Sequence, residues 1–295
     1  MPEQFHYGGQ AVFEGVLMLG RRNMAMAVRR PGGDLALVTK PLSTRYTGRA
    51  RKIPLVRGIV VLVQTLVLGL KALFESANIA MDDDSQQLSG PASWAIVIVS
   101  LAFAVGLFFL APLGVTHLID PHLGSSVASN VVEGVIRIAI FFLYLAAINL
   151  MPDVRRIFAY HGAEHKTVNA YEDGAPLEVA EVRKYSTAHL RCGTAFLFIV
   201  LVIAIVVFAL LGTPAMWLRV LSRIVLIPVI AAIAYEVTHF SARHADNRVV
   251  RVLFVPGLAI QRMTTRQPDD GQIDAAICAL NGVIEADNPA AATTG

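Results

Sequence analysis

Charge is scarce in this chain. Of its 295 residues 16% are charged and 55% are hydrophobic, and the mean hydropathy is +0.57. One soluble core cannot bury that much apolar surface, so lipid is the expected solvent for part of the length. Cysteine is scarcer still: Cys192 and Cys278 exclude the disulfide framework of a small secreted domain, and their spacing excludes a zinc ribbon. No Gly-Lys-Ser/Thr follows a glycine-rich loop, and Gly8-Gly9-Gln10 with Glu14-Gly15 lacks the spacing of a dinucleotide fingerprint. No Gly-x-Ser-x-Gly elbow occurs, which argues against a serine hydrolase. The opening MPEQFHYGGQ has no basic stretch leading into an apolar one, so no cleaved signal peptide is expected. The net charge of +3 comes with basic residues beside apolar segments, at Arg21, Arg22, Arg29, Arg30, Arg45, Arg49, Arg51 and Lys52. That is the pattern of membrane topology, and without a groove-entering motif no nucleic-acid partner is expected.

What is present reads as a mainly α, polytopic helical membrane protein with a small β-rich cap. Residues 1–52 contain short β-favouring runs at Ala11–Phe13, Ala25–Val28 and Leu35–Thr39, with Pro31-Gly32-Gly33 as a turn. Residues 53–81 have helical period but are interrupted by Arg57, Gln64, Lys71 and Glu75, which predicts a re-entrant or interfacial helix. An acidic linker covers 82–91. Within 92–240, four segments at about 93–115, 131–151, 194–212 and 220–240 approach the ~20 residues a spanning helix needs. Lysine and arginine are absent from 116–130 and frequent in the N-terminal region, the 152–193 connection and the 241–295 tail. Both termini and the connection are therefore expected on the cytoplasmic side of the plasma membrane, with Arg219 and Arg223 as exceptions. Glu133 and Arg137, at i and i+4, predict an ion pair inside a span. In the tail Ile273, Ile277, Leu280 and Ile284 predict an amphipathic helix over Asp270–Glu285, docked on the chain itself or on a protein partner at the cytoplasmic face. No internal repeat supports an inverted-repeat transporter.

The sharpest chemical feature is HGAEH, residues 161–165. On a helix His161 and His165 lie one turn apart on one face, so both imidazoles can meet one divalent ion, and Glu164 can act as general base on water. His189 and Cys192 at the entrance to the third span, and Glu236 with His239 at the end of the fourth, converge on the same membrane face under this topology. They are the candidates to complete a metal site, with zinc as the expected ion. The competing structural reading makes the histidines interfacial, Cys192 a small buried hydrophobe and Glu236 a partner of Arg243.

The strings GGQAVFEGV (8–16), VRGIVVLVQTLVLGLKAL (56–73), YHGAEHKTVNAYE (160–172), HLRCGTAFL (189–197) and PGLAIQRMTTRQPDD (256–270) resemble the YqhQ-type family of bacterial membrane proteins, nearly end to end. The resemblance implies a metal-dependent enzyme and highlights Glu14, His161, Glu164, His165, Glu172, His189, Arg191, Cys192 and Glu236. Leu190 departs from the proline of the family pattern, which frees the backbone next to His189. A metal-dependent hydrolase is the reading these residues favour, and a non-catalytic membrane assembly or interaction protein is the alternative.

Overall fold

The computed structural model describes residues 5–43, 53–81, 90–189, 192–243 and 248–288. Arg45, Arg49, Arg51, Lys52, most of the acidic linker, Leu190 and Arg191 lie outside the described residues, as does the side chain of Arg243.

The N-terminal cap is an antiparallel meander of β1 (Gly8–Val12), β2 (Gly15–Leu19), β3 (Asn23–Arg29) and β4 (Leu35–Pro41) in that order. Gly33, at φ 92°, lies in the turn between β3 and β4. Side chains alternate between the two faces of the sheet, and both faces are covered. Val16, Met18, Ala25 and Ala27 join one apolar cluster with residues of α5 (Pro152–Glu172) and α11 (Asp270–Asp287). Val12, Leu17, Met26 and Val28 join another with Ala72 of α1 (Val56–Met81). Burial on both faces explains why β2 reads as an unbroken apolar run, GVLML.

α1 is one continuous 26-residue helix, long and apolar enough to cross a membrane. The polar residues that suggested a re-entrant or interfacial element are spread along it, with Lys71 exposed and Gln64 Oε1 without a partner among the described residues. Arg57 pairs with Glu236, Gln64 is buried, and Glu75 accepts from Lys40 Nζ of β4 at 2.6 Å. α2 (Pro91–Val105) passes through a π-helical turn at Gly106–Leu110 into α3 (Ala111–Ile119), making one apolar stretch, Ser93–His122. α4 (Ser126–Ile148) and α7 (Gly193–Leu211) pack together. α8 (Met216–Val225) and α9 (Ile227–Arg243) meet at a 46° bend. Among the described residues three helices are long and apolar enough to span a membrane, or four if α8 and α9 form one span.

The expected Glu133–Arg137 pair is present at 2.6 Å and belongs to a larger buried network. Arg223 reaches both Glu133 oxygens, at 3.0 and 2.7 Å, and Asn130 Oδ1 at 2.7 Å. Arg219 reaches Asp120 Oδ2 at 2.7 Å. Arg219 and Arg223, which stood out as loop charges in the sequence, are thus buried and paired between helices.

α5 is followed by the short α6 (Val179–Val182), and α7 by α8, α9 and α10 (Arg248–Thr264). α11 starts with a capping box formed by Asp269 and Gln272 and lies across β2, β3 and β4 and beside α5. Ile273, Ile277 and Leu280 are buried there and Ile284 packs against the same cluster, as their spacing predicts. At the far end Asp287 accepts the backbone N–H groups of Arg21, Arg22 and Asn23. The apolar side of the C-terminal helix is therefore covered by this chain's own sheet.

Candidate metal centre

α5 begins with Pro152 in its first turn, and its middle is held between the sheet and the segment after α10. From this buried stretch His161 and His165 stand one turn apart, with ring centroids 4.4 Å apart. Each ring is oriented by a backbone carbonyl. His161 Nδ1 donates to the carbonyl of Thr264 at 2.8 Å, and His165 Nδ1 to that of Thr187 at 2.6 Å. A neutral imidazole that donates from Nδ1 carries its lone pair on Nε2, so both rings are set as ligands with their outer partners in place.

Cys192 supplies the third donor. It is the N-cap of α7, its sulfur accepts from the N–H of Thr194 at 3.5 Å, and it lies 3.3 Å from His161 Nε2. The first N–H groups of a helix have no partner within it, and the sulfur takes up one of them. Ligand atoms of His161, His165 and Cys192 all lie within 4.8 Å of one another. Zinc bonds of about 2.0–2.1 Å to nitrogen and 2.3 Å to sulfur place tetrahedral ligands roughly 3.3–3.7 Å apart; the Cys192–His161 separation of 3.3 Å matches this, and the 4.8 Å limit on the set leaves His165 up to about 1 Å to close.

The remaining sequence candidates are placed differently. His189 is adjacent, its ring 5.7 Å from that of His165, but its Nε2 faces Glu172 Oε2 at 3.4 Å, and it is not one of the three clustered ligands. Burial, then the His165 and His6 rings, pushes His189 down to about 4, so it is neutral at physiological pH. Glu236 does not reach the cluster. Its carboxylate is taken by Arg57 and the N–H of Leu55, because packing of α1 against α9 brings a guanidinium to it first. His239 stacks on Tyr235. Glu14, in the β1–β2 turn at φ 52°, binds Arg156 and accepts from Tyr160 Oη at 3.3 Å.

Glu164 is buried beside the two histidines. Oε1 accepts the N–H of Gly9 at 3.0 Å, and Oε2 has no hydrogen-bond partner among the described residues. Burial raises its pKa above the usual carboxylate range, against the opposing effects of His161 and the Gly9 N–H. Gly9 explains the Gly-Gly that resembled no nucleotide motif. A Cβ there would stand 2.6 Å from the Leu17 carbonyl of β2 and 3.1 Å from Glu164 Cδ, so glycine lets β1 lie this close to β2 with the Glu164 carboxyl against it.

Several supporting residues were invisible as individuals in the sequence. Gln261 of α10 holds the backbone of His189 on both sides, accepting its N–H at 3.0 Å and donating to its carbonyl at 2.8 Å. Lys166 Nζ donates to the carbonyls of Arg183 and Tyr185, and Asn169 Nδ2 to those of Ser186 and Ala188, so α5 grips the segment that carries the Thr187 carbonyl. Lys166→Met is expected to release this segment and lower metal retention while leaving all three ligands intact. Elemental mass spectrometry checks this, and unchanged metal content would remove the clamp from the account.

The comparisons with known proteins agree on one relationship. The family model described as "Protein of unknown function (DUF1385)" matches residues 53–286, a range that includes all three clustered ligands and Glu164. The chain is 32% identical over 292 residues to a Bacillus subtilis (strain 168) protein described as "Uncharacterized protein YqhQ", covering 94% of this chain and 92% of that relative. No solved structure matches.

Proposed function

This chain belongs to the DUF1385 family; from the convergent His and Cys cluster we propose a membrane-embedded metal-dependent hydrolase whose His161, His165 and Cys192 hold one zinc-class divalent ion. The observation that carries this reading is the pair of imidazoles whose Nδ1–H groups are both committed to backbone carbonyls, with His161 Nε2 placed 3.3 Å from a cysteine sulfur. Orienting the second nitrogen of each ring is how proteins prepare histidine for a metal. Three protein donors leave one of four positions open, the pattern of catalytic rather than structural zinc. A bound divalent ion supplies Lewis acidity there, polarising a substrate oxygen and acidifying water. Glu164 is the general base in this reading, its unpartnered Oε2 being the atom that takes up a proton. The lysine and arginine distribution supports placing the centre and both termini on the cytoplasmic side. The docking-platform alternative requires scattered histidines and an apolar patch on the tail, whereas His161 and His165 lie together and the α11 apolar side is covered.

The test is metal content by elemental mass spectrometry on detergent-purified full-length protein prepared without chelator. Wild type is expected to carry about one zinc or similar ion per chain, His161→Ala/His165→Ala none, and Glu164→Gln the wild-type amount. A folded, metal-free wild type would overturn the proposal.

A further inference from the structure

The two edges of the cap sheet are treated differently. At β1 the Gly9 N–H donates to Glu164 and the Phe13 N–H to Ser76 Oγ of α1 at 3.1 Å, so that edge is taken up by this chain's own helices. At β4 the edge is open. The Arg30 N–H donates to the Asp34 carbonyl at 2.9 Å and the Leu42 N–H to the Arg22 carbonyl at 2.7 Å. With Asn23 opposite Pro41 and Arg29 opposite Leu35, the even-numbered residues of β4 are then the ones bonded to β3. Leu35, Leu37 and Thr39 turn their N–H and C=O groups outward, and among the described residues nothing pairs with them. Leu37 is 45% exposed, and Thr39 and Lys40 are exposed. Such an edge is a template for one more strand.

Two properties select a second copy of this chain as that strand. The edge is complementary to itself. When Leu37 faces Leu37 of the second copy in antiparallel sense, Leu35 faces Thr39 and Thr39 faces Leu35, so each opposed pair exchanges two hydrogen bonds and no outward group is left over. Shifting the register by two residues sets Leu35 against Pro41, which has no N–H, or Thr39 against Gly33 in the turn. In the matching register Asp34 stands opposite Lys40 of the second copy, unlike charges on side chains 59% and 47% exposed.

The layering of the cap also suits such a pair. Strand addition in the plane of a sheet relates the copies by a two-fold axis perpendicular to it, so each face continues as the same face. The α1 helix, long and apolar enough to cross a membrane, then lies on one side in both copies, and α11 on the other. Both copies fit one bilayer in the same sense, and confinement there raises the effective concentration that a short interface needs.

We propose that β4 pairs antiparallel with β4 of a second copy across a two-fold axis at Leu37, joining two four-stranded caps into one continuous sheet. The pairing is independent of the metal centre, and either assignment can fail without the other.

The test is thiol cross-linking of the full-length protein in its membranes with a short bismaleimide. The unsubstituted chain sets the background from Cys192 and Cys278. Leu37→Cys brings the two substituted positions to about 5.5 Å between Cα atoms. Asp34→Cys, equally accessible, leaves them about 20 Å apart at 3.4 Å per residue. Thr39→Pro, added to Leu37→Cys, removes an outward N–H and no bond to β3, so melting is expected to stay unchanged while the dimer band is lost. Asp34→Lys, a second exposed substitution, sets like charges opposite Lys40 and is expected to weaken the same band. A dimer from Leu37→Cys with Asp34→Cys at background, reduced by either added substitution, supports the proposal. Leu37→Cys at background, equal cross-linking at both positions, a cross-link to a different protein, or a dimer indifferent to both added substitutions overturns it.

Discussion

Gly162→Ala is expected to disrupt the proposed His161–His165–Cys192 site and to cost about 1–3 kcal/mol or more of stability. A methyl group at position 162 would stand 2.0 Å from the carbonyl oxygen of Arg266, where van der Waals contact needs more than 3 Å. The obstacle is backbone and not the end of a flexible side chain, so α5 and the segment after α10 must separate by over 1 Å. That segment is tied to α5 by the Arg266 N–H donating to the Phe158 carbonyl at 2.8 Å, and by the Thr264 carbonyl that orients His161. Separation therefore breaks a hydrogen bond and frees the His161 ring at once. Thermal unfolding in detergent and metal content are the two readouts, with Gly114→Ala as the control because a Cβ there meets nothing within 4 Å. Wild-type melting and wild-type metal in Gly162→Ala would mean that α5 does not pack as described.

Removing the central carboxylate of the intramembrane network should be as damaging. Glu133→Gln leaves Arg137 and Arg223 buried, both at 2% exposure or less, with their shared counter-charge gone. Breaking a buried pair from one side costs about 3–5 kcal/mol, because the abandoned charge cannot be rehydrated. The remaining contacts, Arg137 Nε to the Phe108 carbonyl and Arg223 to Asn130, are neutral acceptors and do not replace the missing charge. The expected result is a marked loss of folded, monodisperse protein and a lower melting temperature. Glu133→Gln/Arg137→Met should recover part of the loss, since one of the two stranded cations is then absent. A double variant no better than the single one would mean that the network is stabilised by something other than pairing.

The same network shows why the sequence was misleading about Arg219 and Arg223. Counting basic residues along the chain treats every arginine near a span as a loop charge. Amphipathic periodicity within α8 places both on one side of that helix, but their carboxylate partners lie 90 and more residues earlier, at Asp120 and Glu133. No local pattern carries that information. In α1, likewise, Arg57 and Glu75 find their partners in Glu236 and Lys40, supplied from elsewhere in the chain.

By itself the sequence determined the membrane class, the β-rich cap, the existence of the apolar helices, the C-terminal amphipathic helix and the pairing of His161 with His165. Each of these follows from composition or from a local period, where the interacting groups lie within one or two turns or on alternate strand positions. Tertiary structure alone decided that Cys192, and neither Glu236 nor His189, stands among the clustered ligands, and that Thr264 and Thr187 orient the rings. It also decided that Gln261 and Lys166 hold the surrounding backbone, and that three arginines share two carboxylates at the far end. Those outcomes depend on which helices meet and in what register, and burial of apolar surface settles that between segments far apart in the chain.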